Sequence, residues 1–265
     1  MGIAIVTGAS RGIGAAVASK LAVLGHSVCV NYRQQSSAAQ QLVESIVNQG
    51  GRAIVVQADI ADESQVRQMF ETVHQQLGRV DMLVNNAGIV ERQSRLQDMT
   101  LQRFQRVMDT NVTGTFLCAR EAIKWMSTDS GGSGGSIVNV SSMAARLGSP
   151  REYVDYAASK GAVDSMTIGL AAEVAEHGIR VNAVRPGIIH TDIHASSGEP
   201  DRIERVKHAV PMKRGGQPEE VAQAIVWLLS EQASYCTGSF LDVSCLLYTS
   251  PSPRDATLSR MPSSA

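Results

Sequence analysis

Tyr156 and Lys160 stand four residues apart, with Ala-Ala-Ser between them. On an α-helix, positions i and i+4 share a face, so the phenol oxygen and the ammonium can converge. A phenol with a pKa of about 10 is a poor acid or base at neutral pH, and a neighbouring cation favours the phenolate and lowers that value. A lone pair of this kind is common on solvated helix faces. A second constellation, Thr7-Gly8-Ala9-Ser10-Arg11-Gly12-Ile13-Gly14, follows the apolar run Ile3–Val6. Its glycines permit a tight turn and the close approach of a pyrophosphate, and a helix starting there offers free N–H groups and a positive dipole end. Glycines also serve plain turns; the place of this one, after the first strand and before the first helix, points to a dinucleotide. Asn85-Asn86-Ala87-Gly88 closes a further apolar run. Small and amide residues there face the crevice in which α/β proteins bind ligands, although alone the motif reads equally as an Asn-Gly loop.

These residues need strands that end together and helices that start beside them. Short runs rich in Val and Ile, without polar alternation, occur at 3–6, 27–31, 53–56, 82–84, 136–141, 179–184 and 239–243. That composition suits a parallel sheet covered on both faces. Helical patterns cover 12–24, a stretch ending near 48, and then 63–77, 101–126, 152–176 and 218–230, with an irregular segment at 188–216. Strand–helix alternation of this kind predicts an α/β, Rossmann-type, doubly wound, seven-stranded parallel sheet. Residues 1–244 read as one domain. The Gly/Ser-rich stretch 131–136 reads as a mobile loop inside it rather than a linker between domains.

The motifs occur in a set order: the glycine turn at 7–14, Asn-Asn-Ala-Gly at 85–88, Asn111 within a helix, Ser141-Ser142, Tyr156-x-x-x-Lys160, and Pro186-Gly187. That set resembles the short-chain dehydrogenase/reductase family in its single-domain form, over about residues 2–244. Its nearest flavour is similar to bacterial 3-oxoacyl-carrier-protein reductases and glucose 1-dehydrogenase-type enzymes. The resemblance implies that Tyr156 is the general acid in reduction and the base in oxidation. Lys160 would lower the tyrosine pKa and bond the nicotinamide ribose. Ser142, favoured over its neighbour Ser141, would donate to the substrate carbonyl. Asn111 would hold a water linking Lys160 to solvent, the alternative being a helix-interior amide bonded locally. Gly8, Ser10, Arg11, Gly12, Ile13 and Gly14 would cradle the cofactor, with Asn85, Ala87 and Gly88 beside them. Asp59 and Ile60 would border the adenine, although Asp59 could instead cap a helix. Pro186, Gly187, Ile189 and Thr191 would meet the carboxamide and phosphates.

Cofactor choice turns on the end of the second strand. No Asp or Glu stands between His26 and Glu44, where an NAD enzyme places an acid for the ribose hydroxyl. Arg11 and Arg33 flank that place, and arginine suits a 2′-phosphate through bidentate charge-assisted bonds. The expectation is therefore NADP(H), with NAD(H) second and solvated surface arginines as the alternative. The reaction expected is interconversion of a carbonyl and a secondary alcohol. The rival is a non-catalytic dinucleotide-binding redox sensor on the same fold. Substrate choice is expected to lie in 192–210 and in the loops 90–96 and 144–153. Their charges (Arg92, Arg95, Arg146, Arg151, Glu152) hint at a polar substrate.

The chain has 265 residues, 43% hydrophobic and 18% charged, which is a globular composition rather than a disordered one. A formal net charge of −1 provides no basic field for nucleic acid or an acidic membrane. No run approaches the length of a membrane span, and the start lacks the basic region of a signal peptide. The four cysteines form no CxxC pair and the six histidines no HExxH, so neither a disulfide framework nor a metal site is expected. His190 and His194 neighbour the expected cleft. A cytoplasmic enzyme is the default reading. In the family, the helices at 156–176 and 101–126 pair across one two-fold axis, and 218–230 with 239–243 across another, which implies a homotetramer. Residues 245–265, rich in Pro, Ser and Thr, should not pack. They resemble translated sequencing-adapter read-through rather than a genuine flexible terminus, and disorder from about residue 246 is expected. A tail beginning there lies beside the second interface, so dimers could compete with tetramers.

Overall fold

A computed structural model of the chain describes residues 1–247. The apolar runs form β1 (Ile3–Val6), β2 (Ser27–Tyr32), β3 (Arg52–Gln57), β4 (Met82–Asn85), β5 (Gly135–Val140), β6 (Ile179–Pro186) and β7 (Phe240–Val243). They make one seven-stranded sheet in the order β3-β2-β1-β4-β5-β6-β7. Every pairing is parallel. The chain order reverses between β1 and β4, and this switch point opens a crevice at the carboxyl ends of the strands.

The helices are α1 (Gly12–Val23), α2 (Ser36–Asn48), α3 (Glu63–Gln76), α4 (Leu101–Met108), α5 (Gly114–Met126), α6 (Ala144–Leu147), α7 (Val154–Val174), α8 (Ile193–Ser196), α9 (Arg202–Val206) and α10 (Pro218–Leu229). Both sheet faces are covered, which is why the strands lack polar alternation. Ala4 and Val6 of β1 join Val17, Leu21 and Ile225 in the core on the α1/α10 face. Ile5, between them, joins Phe70, Val73 and Cys118 on the α3/α5 face.

The helix expected over 101–126 is interrupted. A π-helical turn, Asp109–Thr113, separates α4 from α5 and carries the fully buried Asn111. Such a turn admits one extra residue and re-aims a side chain inward. Gly114 follows it because a Cβ there would lie 2.5 Å from Ile60 Cδ1. Helices α6, α8 and α9 are too short to show a period in sequence. The Gly/Ser-rich stretch forms a turn within the domain, bonded to its neighbours. Arg79 donates to the Gly131 and Ser130 carbonyls at 2.8 and 2.9 Å. Gly134 lies so close to Gly178 that a Cβ would be 2.4 Å from the Gly178 carbonyl oxygen.

Among the described residues, no helix is long and apolar enough to cross a membrane, and no group of three or more His, Cys, Asp or Glu side chains could hold a metal. Residues 245–247 turn back over the sheet end, with Leu247 N–H donating to the Ser244 carbonyl at 3.1 Å. The rest of the expected disordered tail lies outside the described residues.

Candidate active site

At the strand ends lies a trench of about 930 Å³. Its floor begins at the glycine turn. Gly8 has φ +60°, and a Cβ there would sit 2.8 Å from Ala87 Cα. Glycine is required on both counts. The Thr7 hydroxyl accepts from the Asn86 and Ala87 N–H groups, both at 3.0 Å, and so fixes the β1 and β4 turns together. Ahead of α1, no side chain caps the helix and no acid occupies its first turn. Its leading N–H groups are left for an anion. Gly8, Ser10, Arg11, Gly12 and Ile13 line the trench. Gly14 does not: it lets α1 approach the turn, because a Cβ would lie 2.5 Å from Asn86 Nδ2. This cradle fits a dinucleotide pyrophosphate.

One positioning residue escaped the sequence reading. Asn31 at the end of β2 is 2% exposed. Its Oδ1 accepts from Gly8 N–H at 3.2 Å, and its Nδ2 donates to the Val56 and Ala58 carbonyls at 3.3 and 3.1 Å. A buried amide thus ties three strand ends. Further along the trench, Arg33 Nε meets Asp59 Oδ2 at 3.0 Å. Arg11 lies 3.6 Å from the Asp192 carboxylate. Ile60 lines the same wall. Asp59 does not cap α3; the side chain of Asp62 does.

The Asn85-Asn86-Ala87-Gly88 motif divides by direction. Asn86, Ala87 and Gly88 line the trench, whereas Asn85 still belongs to the strand. Its Nδ2 donates to Asn139 Oδ1 at 3.0 Å within the helix-covered face. Asn111 also lies off the trench lining. Its Oδ1 accepts from Ile89 N–H at 2.8 Å, and its Nδ2 donates to the Ile89 carbonyl and Ser159 Oγ, both at 3.0 Å. Its backbone carbonyl accepts the Thr115 hydroxyl at 2.8 Å.

Tyr156 and Lys160, on the first turns of α7, face the trench with Ser142. Lys160 Nζ lies 5.7 Å from the Tyr156 ring centre and donates to the Val140 carbonyl at 2.7 Å. Burial lowers the Lys160 pKa to about 8, against the pull of the Asp164 carboxylate. Burial raises the Tyr156 pKa, opposed by its hydrogen bond with Ser142. Burial thus disfavours charge on both groups. The Ser141 hydroxyl points elsewhere, to Asp164 Oδ1 at 2.6 Å.

A buried ion pair that sequence did not reveal holds the start of α7. Arg103 Nε and Nη2 reach the two Asp155 oxygens at 2.7 and 3.2 Å, and Asp155 Oδ1 also accepts from Tyr156 N–H at 2.9 Å. Beyond Pro186, Gly187 packs on Ser244, and Ile189 and Thr191 line the trench along with the glycine turn. The trench is also walled by Met143, Leu147, Tyr153, Ile193 and Val206. Its charged members neutralise one another: Arg202 meets Glu152 at 2.6 Å and Glu199 at 2.8 Å. Of the charges expected to greet a substrate, Glu152 lines the trench, whereas Arg92, Arg95, Arg146 and Arg151 do not.

The family model described as enoyl-(acyl carrier protein) reductase matches residues 8–245. An uncharacterized oxidoreductase of Escherichia coli, YgfF, is 60% identical over 92% of this chain and 98% of its own length. A 3-oxoacyl-[acyl-carrier-protein] reductase of Synechocystis is 43% identical over 91% and 94%. The crystal structure of a short-chain type dehydrogenase/reductase from Mycobacterium marinum superposes with a TM-score of 0.88 at 38% identity, covering 94% of this chain and 96% of that one. With a family model matching residues 8–245, 60% and 43% identity to named oxidoreductases over more than nine-tenths of the chain, and a closely superposing short-chain dehydrogenase/reductase structure, the chain belongs to the short-chain dehydrogenase/reductase family and is an NAD(P)-dependent oxidoreductase.

Proposed function

We propose that the protein interconverts a carbonyl and a secondary alcohol with NADP(H), Tyr156 moving the proton. The observation that carries this reading is the convergence of Ser142, Tyr156 and buried Lys160 on one trench that continues into an uncapped helix N-terminus. The cofactor, when bound, supplies or accepts the hydride at the reacting carbon. Ser142 and Tyr156 hold the substrate oxygen between their hydroxyls. In reduction the Tyr156 O–H donates its proton to that oxygen as charge develops on it; in oxidation the phenolate takes it back. Lys160, fixed by the Val140 carbonyl, keeps a positive charge beside the phenol. Arg11 and Arg33 and the lack of an acid at the end of β2 support NADP(H) over NAD(H). The redox-sensor alternative has no support from relatives named as oxidoreductases.

Residues 1–244 are proposed to act as one catalytic unit, with 245–265 an addition to it. Two apolar patches support a homotetramer: Leu101, Phe104, Phe116 and Ile168 on α4, α5 and α7, and Trp227 with Leu241 on α10 and β7 are all exposed in the single chain. Free Cys29 and Cys118, both buried, suit a reducing, cytoplasmic setting. The apolar substrate wall with its neutral ion cluster favours an uncharged reacting end. The test is loss of the reduced-nicotinamide absorbance across a panel of carbonyl compounds, with both cofactors. Turnover with NADPH that exceeds turnover with NADH is expected; preference for NADH would remove the cofactor assignment, and no turnover with any carbonyl would remove the reaction.

A further inference from the structure

A second charged cluster lies against Lys160 without lining the trench. Asp164 stands one helical turn after Lys160 on α7, so the two share a face. Its Oδ1 accepts the Ser141 hydroxyl at 2.6 Å, and its Oδ2 meets Arg185 Nε and Nη2, each at 2.9 Å. Arg185 comes from β6. Its guanidinium lies 3.9 Å over the Phe240 ring and 3.5 Å from the Asp242 carboxylate, both on β7. The Asp164 and Arg185 side chains are 13% and 10% exposed, so their fields are only weakly screened. The Ser141 hydroxyl also reaches the Lys160 carbonyl at 3.3 Å. One carboxylate therefore grips the strand end between the lysine's anchor, Val140, and Ser142.

We propose that Asp164, held by Arg185, is a positioning residue that sets the proton affinity of the Tyr156–Lys160 unit. The negative charge favours the cationic lysine and the neutral phenol; the guanidinium limits that effect. Asp164 accordingly raises the Lys160 pKa against burial. Other charged groups near Lys160 are already matched or outlying. Asp155 is paired with Arg103 of α4, Glu121 of α5 with Lys124, and Arg120 with Glu63. Asp109 of the π-helical turn and Arg146 of α6 are exposed. Strand β5 brings no ionisable side chain.

This inference rests on the reading of Tyr156 as the proton donor, and its sign does not depend on which member of the unit titrates. Removing a negative charge lowers the proton affinity of phenol and ammonium alike; removing a positive charge raises it. In Asp164→Asn the high-pH limb of kcat for carbonyl reduction should fall by about half to one pH unit. In Arg185→Gln it should rise, and in the double variant it should return to the parent position. The same order should appear without cofactor or substrate in the phenolate absorbance of each variant, measured against its own Tyr156→Phe partner. A limb that stays put in both single variants, or moves the same way in both, overturns the proposal. If Arg185→Gln unfolds, Asp164→Asn against the double variant decides: a lower limb in Asp164→Asn supports the proposal, equal limbs refute it. Turnover that survives Tyr156→Phe would instead remove the acid–base reading itself.

Discussion

Arg33 offers the sharpest handle on cofactor choice. Its Nε lies 3.0 Å from Asp59 Oδ2, with the two side chains 55% and 29% exposed. A pair so open to water contributes only about 0.2–1 kcal/mol. A charge-assisted hydrogen bond to a phosphate contributes about 1.5–3 kcal/mol. A 2′-phosphate must compete with Asp59 for the guanidinium, so the net gain is roughly 1–2 kcal/mol, or about 5- to 30-fold in affinity. Arg33→Gln should therefore raise the Kd for NADPH by that factor and leave the Kd for NADH within about two-fold. Asp59→Asn releases Arg33 from its competitor and should tighten NADPH by up to about five-fold. Isothermal titration calorimetry of the three proteins with both cofactors measures this directly. Equal loss of NADPH and NADH affinity in Arg33→Gln would refute the reasoning, because it would make Arg33 a general support of the site rather than a phosphate ligand.

Asn31→Ala strips the partners from Gly8 N–H and the Val56 and Ala58 carbonyls; a loss of about 2–4 kcal/mol in urea unfolding, with weaker cofactor binding, is expected. Arg103→Met leaves the Asp155 carboxylate buried without its counter-charge, held only by the Tyr156 N–H, so a loss of about 3–5 kcal/mol is expected, partly restored by Arg103→Met with Asp155→Asn. His26 Nδ1 accepts from Gly2 N–H at 3.0 Å, and burial lowers its pKa. A depressed folded-state value means that its contribution is complete above the unfolded value near 6.5 and is lost as pH falls through the folded one. Thermal stability should thus drop more steeply from neutral to acidic pH in the parent than in His26→Gln; parallel slopes would count against this.

The features legible in sequence are those written within one segment. The glycine turn, the Tyr156–Lys160 spacing and the apolar runs need only local geometry, and the structure brings them to one trench. What was hidden depends on partners far along the chain. Arg103 and Asp155 are 52 residues apart and Arg185 and Asp164 are 21 apart, so no local spacing links either pair. Asn31 passed as an ordinary strand-end residue because its three partners come from two other turns. The motif at 85–88 lies at the trench, but strand alternation decides that Asn85 turns to Asn139 while Asn86 turns to the glycine turn. The π-helical turn was invisible because helical segments continue on both sides of it, and no residue type marks the one-residue insertion.

The central claim is that hydride reaches a carbonyl carbon while Tyr156 supplies the proton. Reduction with NADPH deuterated at the transferring position of the nicotinamide, followed by mass spectrometry of the product alcohol, tests it most directly. The account predicts one deuterium at the carbinol carbon with the parent protein, and almost no product with Tyr156→Phe, although that variant binds NADPH as tightly. Product without deuterium at that carbon, or a Tyr156→Phe protein that keeps most of its turnover, would contradict it.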